Sequence, residues 1–130
     1  MTLRIVRLGT PRARGEGLRL GTVRRPPRGV KKQDFAKRDY YDLWLPMLSP
    51  SQPVVSRAMS QPWTAARWAK FVRDYRREMG RPEPKQLIGL LAQMSHHANF
   101  SVGCYCEREE RCHRSVLMEL LREQGAIFSR

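Results

Sequence analysis

The chain has 130 residues, 41% of them apolar, which suits one compact domain with a core of its own. No apolar run approaches the length of a membrane span, and the basic N-terminus has no apolar run behind it, so the composition argues against a membrane protein and a secretory signal and points to the cytoplasm. The net charge is +13 and uneven: residues 1–38 carry twelve Lys and Arg against two acids, Glu16 and Asp34, a block that attracts phosphorylated small molecules or nucleic acid.

Leu3-Arg-Ile-Val-Arg-Leu8 mixes β-branched residues with bases and reads as a strand. Residues 9–17 form a loop, and Leu18-Arg-Leu-Gly-Thr-Val23 reads as a second strand. Arg24-Arg-Pro-Pro-Arg-Gly-Val-Lys-Lys32 follows, and its prolines and glycine exclude helix, leaving a loop that carries bases at the end of a strand. Asp39–Leu45 is aromatic and apolar, a strand or an irregular stretch packed on the core. Pro46–Pro53 reads as a loop, and Arg57–Met59 is too short to assign.

From Thr64 the period becomes helical: Trp68, Phe71, Val72, Tyr75 and Met79 share a face, with Thr64 as N-cap and Gly80 as stop. A second helix starts near Pro84 and packs through Leu87, Leu90, Leu91 and Met94 to about His96. Phe100–Cys106 is the clearest strand. The last helix starts near His113, packs through Val116, Leu117, Leu120 and Leu121, and ends at Gly125. The order predicts a single α/β domain over 1–130, a small layered fold with a central, mostly parallel sheet flanked by helices. In such sheets sites lie beyond the carboxyl ends of the strands, which puts the basic loop 24–32 and the segment 104–114 in one place.

All three cysteines lie in Gly103-Cys-Tyr-Cys-Glu-Arg-Glu-Glu-Arg-Cys-His-Arg114. An odd count clustered this way is not a secreted disulfide framework. A zinc site from Cys104, Cys106, Cys112 and His113 has the right ligand types, although the C-x-C-x5-C-H spacing is not that of the common fingers. A thiol reading makes Cys106 or Cys112 a reactive thiolate, favoured by the helix start and by Arg108, Arg111 and Arg114. The cysteine-phosphatase pattern of Cys, five residues and Arg is absent. An anion reading uses the N–H groups of the last helix with Arg114, Arg24, Arg28 and Lys31. Beside these stands simple packing: buried cysteine behaves as a small hydrophobe, and His113 can serve as a cap. His96 and His97 suit a helix end, and Trp63, Trp68, Phe71 and Tyr75 suit a core.

The segment GCYCEREERCHRSVLMELL, with RLGTPRARGEGLRLGTVRRPPRGVKK and YYDLWLPMLSPS, resembles the domain-of-unknown-function 488 family, also called YeaO-like. The resemblance covers nearly the whole chain and implies a small bacterial, cytoplasmic α/β protein; it implies no reaction. Some members carry Arg-Leu-Trp-Pro-Arg-Gly in the basic loop; here Pro26 stands at the Trp position. The matching positions are Arg24, Pro27, Arg28 and Gly29, then Cys104, Cys106, Glu107, Cys112, His113 and Arg114.

The expectation is therefore a pocket for an anionic, phosphate- or carboxylate-bearing small molecule. Arg24, Arg28 and Arg114 hold the anion, and Cys106, Cys112 or His113 supplies attack or proton transfer, with Glu107 orienting one of them. If the protein is an enzyme, transfer or hydrolysis is the reaction class, and no cofactor is required. The alternatives are a nucleic-acid-binding module built on the basic N-terminal third and a zinc-stabilised structural protein.

Overall fold

The computed structural model describes residues 2–106, 108 and 111–129. Its sheet has four strands: β1 (Leu3–Arg7), β2 (Leu18–Gly21), β3 (Leu43–Trp44) and β4 (Phe100–Cys104). Their order is β1-β4-β2-β3, and every pairing is parallel. The last strand in sequence therefore lies between the first two. Its five residues are all buried, as a central strand requires. Beyond β1, Leu3 exchanges backbone bonds with Ile127 and Ser129, so the C-terminal segment covers that edge.

The helices are α1 (Gln52–Met59), α2 (Ala65–Met79), α3 (Pro82–Met94) and α4 (His113–Glu123). The α2 start is as the sequence predicts: the Thr64 hydroxyl accepts from the Arg67 amide. The α3 helix begins two residues before the expected Pro84, with Pro82 and Pro84 both in its first turn. The α1 helix corrects the reading of 46–53 as loop and 57–59 as unassigned. Pro53 sits in its first turn, where a missing N–H costs nothing.

The sheet has two different faces. Leu3, Leu20, Phe100 and Val102 pack against Tyr75 and Met79 of α2, Ile88 and Leu91 of α3, and Val116, Leu117 and Leu121 of α4. Tyr75, fully buried, donates its hydroxyl to the Leu48 carbonyl at 2.7 Å. Arg19 and Ser101, paired across β2 and β4, belong to the other pleat. There the Glu16 carboxylate accepts from Arg19 Nε (2.8 Å) and Nη2 (3.0 Å), from Ser101 Oγ (2.8 Å) and from the Ala13 amide (3.1 Å). Arg19 is 1% exposed and Glu16 3%.

The parallel sheet aligns its carboxyl ends. Arg7, Gly21 and Cys104 end their strands on one edge. The basic loop leaves from β2 and the cysteine segment from β4 on that same edge, as the sequence predicts. Among the described residues, no helix is long and apolar enough to cross a membrane.

Candidate functional site

The cysteine segment turns at the end of β4, and the pleat sends consecutive side chains apart. Tyr105 goes to one side, where its hydroxyl donates to the Arg25 carbonyl (3.0 Å). Cys106 goes to the other. The sulfurs of Cys104, Cys106 and Cys112 all lie within 4.8 Å of one another. Cys104 and Cys112 are buried, with their sulfurs in contact, and Cys106 is exposed. The Cα atoms of Cys104 and Cys112 are 7.8 Å apart. A disulfide spans about 4.4–6.8 Å between Cα atoms, so a settled bridge here requires the backbone to close in.

His113 opens α4 directly after Cys112. Its ring is buried against Tyr75, edge to face at 5.6 Å. Its Nε2 lies 2.7 Å from the Thr22 carbonyl, which only accepts, so Nε2 carries the proton. Nδ1 is then the lone-pair nitrogen, and it sits 3.8 Å from Cys112 Sγ. Burial pushes the His113 pKa down to about 4; the bond to Thr22 opposes this and the Arg114 charge adds to it. The ring is therefore neutral at pH 7. Thr22 in turn donates its hydroxyl to the Gly103 carbonyl (3.0 Å), so β2, β4 and α4 are joined at this point.

The Cys106 thiol does not have the lowered pKa that the thiolate reading expects. Burial raises it, and the charges of Arg114 and Arg7 only partly offset that. The residue as a whole is exposed, but protein crowds its sulfur.

Two cavities meet over this segment. One, of about 320 Å³, is walled by Trp63, Trp68 and Phe71 and floored by Cys106, Cys112 and His113. Arg111 lies over the Trp63 ring at 4.4 Å and closes one side. The aromatic set read as core thus divides: Tyr75 is core, Trp68 and Phe71 are half-buried, and Trp63 is exposed. The second cavity, of about 550 Å³, is lined by Arg7, Arg24, Arg25, Arg28, Tyr40 and Tyr105. Val55 of α1 borders both.

The anticipated anion binders are placed differently from one another. Arg28 is exposed in the second cavity. Arg24 lines it too, but its guanidinium donates to the Pro50 and Ser49 carbonyls and ties the basic loop to the start of α1. Arg114 is buried and donates through Nη1 to the Val6 carbonyl at the end of β1 (3.0 Å). It lines neither cavity. Glu107, with Glu109 and Glu110, lies outside the described residues. His96 lies just past α3, and its Nε2 is 2.8 Å from the Gly125 carbonyl beyond the end of α4.

Arg111, which the thiolate reading named, lines the aromatic cavity; Arg7 and Arg25 complete the site and were not singled out by sequence. Arg7 ends β1, and the rule that parallel strands point their carboxyl ends at the site would have found it. Nothing local distinguishes Arg25 from its neighbours.

No curated protein and no solved structure matches this chain. A family model described as the active DUF488-N3 subclade matches residues 3–125. The match spans nearly the whole chain, from β1 to the end of α4: the chain belongs to DUF488-N3a.

Proposed function

We propose that this protein binds an anionic small molecule along the carboxyl edge of its sheet and acts on it by transfer or hydrolysis. One observation carries the reading. A cleft bearing four arginines adjoins, across Val55, an aromatic pocket lined by Cys106, Cys112 and His113.

The charged end suits phosphate or carboxylate. Arg24, Arg25 and Arg28 present guanidinium groups that pair with such oxygens in bidentate fashion. Arg24 is already oriented by the carbonyls it holds. The aromatic end suits a flat or apolar body stacked between Trp63 and Phe71. The ligand class is therefore an organic phosphate or carboxylate with an apolar body rather than a bare ion. Cys106, Cys112 and His113 line the aromatic half of this site.

The test is calorimetric titration of phenyl phosphate and of inorganic phosphate. Phenyl phosphate binds more tightly, because only it uses both halves. In Arg25→Ala/Arg28→Ala affinity falls roughly a hundredfold, since a hydrogen bond to a charged group contributes about 1.5–3 kcal/mol. Both arginines are exposed, so the variant folds normally. An unchanged affinity in that variant sinks the reading. Salt dependence separates it from the nucleic-acid alternative. A pocket for one anion loses little affinity with added salt, whereas a surface engaging many phosphates loses it steeply.

A further inference from the structure

We propose that Cys104, Cys106 and Cys112 bind one zinc ion. Two observations carry this.

The first is convergence. Three sulfurs from two segments, the end of β4 and the start of α4, lie within 4.8 Å of one another. In a tetrahedral zinc site with Zn–S of about 2.3 Å, ligand sulfurs stand about 3.8 Å apart, so the trio needs only small rotations of the side chains to receive an ion.

The second is the backbone separation of Cys104 and Cys112. At 7.8 Å between Cα atoms it is wider than a disulfide spans, yet their side chains point at one another. An ion between the sulfurs accounts for both facts, because it lengthens the link without moving either strand or helix.

The His113 imidazole stands beside this trio. Its Nε2–H donates to the Thr22 carbonyl, which fixes the tautomer and leaves Nδ1 3.8 Å from Cys112 Sγ, outside the group of three sulfurs.

Three thiolates and one zinc ion leave one negative charge at the site. Binding displaces the three thiol protons to solvent, and no oxidant or reductant is needed. The thiols then serve as ligands at the floor of the aromatic pocket rather than as nucleophiles.

The proposal does not rest on anion binding, and the experiment contains no organic anion. Full-length protein is purified reduced and without an affinity tag, its zinc content is measured, and the stripped protein is titrated with zinc against a chromophoric chelator. Cobalt is then substituted to read the ligand set. The expected results are one zinc per chain and an intense tetrahedral cobalt spectrum with thiolate charge-transfer bands. Cys106 is exposed, so Cys106→Ser folds, and its zinc affinity falls roughly a hundredfold or more, one ligand's share of a structural site. His113→Gln keeps the thiolate bands, because the three sulfurs are the protein's ligands. Reduced wild-type protein that takes up no zinc overturns the proposal. So does a Cys106→Ser variant that binds zinc as tightly as the wild type.

Discussion

Glu16→Gln destabilises the fold by about 3–5 kcal/mol, the usual cost of removing one partner of a buried ion pair. Glu16 and Arg19 are sealed under the polar face of the sheet, and the carboxylate accepts four hydrogen bonds. The Arg19 Nη1 reaches the Thr10 and Asp39 carbonyls at 2.8 and 2.7 Å, so the pair also pins two loops. The amide keeps the shape and loses the charge, which leaves a guanidinium buried without its counter-ion. Urea denaturation reads the loss. The pH dependence follows from the same contacts. Burial alone raises the Glu16 pKa, but the bonds from Arg19, Ala13 and Ser101 outweigh it and hold the carboxyl down to about 2, from 4.5. Its contribution is therefore present above pH 4.5 and is lost as pH falls through 2. In Glu16→Gln that part of the acid dependence disappears. A loss under 1 kcal/mol contradicts the account of the pair.

Gly17→Ala is the second large effect, at about 2–4 kcal/mol. Gly17 enters β2 with φ +79, the left-handed region, and a Cβ there would collide with the Asn99 carbonyl. That carbonyl is backbone and precedes Phe100, which pairs with Leu18, so relief requires β2 and β4 to part at their first pair. Gly15→Ala is the control. It has a similar φ of +75 with nothing within 4 Å, so it incurs only the conformational cost. Thermal melting of both variants isolates the clash as the difference between them. Equal effects would show that the close approach to Asn99 contributes nothing.

Neither effect is visible in the sequence pattern, and the reason is informative. In Leu18-Arg-Leu-Gly the alternation is inverted at its start, with Leu18 57% exposed and Arg19 buried. A pattern reading cannot tell which arginine is buried, because the partner that makes it tolerable, Glu16, is three residues away in a loop. The same holds for the basic N-terminal third. Its charge reads as a uniform attraction for polyanions, yet the fold spends much of it internally. Arg12 pairs with Asp42, Arg19 with Glu16, and Arg24 holds carbonyls.

What local chemistry determines was legible. Strands β1, β2 and β4, the long helices, the Thr64 cap and the Gly125 stop all follow from period and turn residues. The α1 helix was not, since Pro46, Pro50 and Pro53 surround it with loop signals and its eight residues are too few to establish a period. The placement of β4 between β1 and β2 is a long-range choice that no window of sequence records. The site shows the same division. Cys106, Cys112, His113 and Arg28 reach the cavities as the parallel-strand rule anticipates. Arg114 does not, because α4 starts inside the molecule, and its guanidinium is within reach of the end of β1 instead.

The central claim is that the arginine cleft and the aromatic, thiol-lined pocket are one ligand site. The most direct measurement is a titration with phenyl phosphate followed by nuclear magnetic resonance, reading the Arg28 Nε–H and the Trp63 indole N–H together. One site predicts that both resonances move along a single binding curve, with one dissociation constant. If only one of them moves, or if the two report different constants, the two cavities are separate and the proposed function fails.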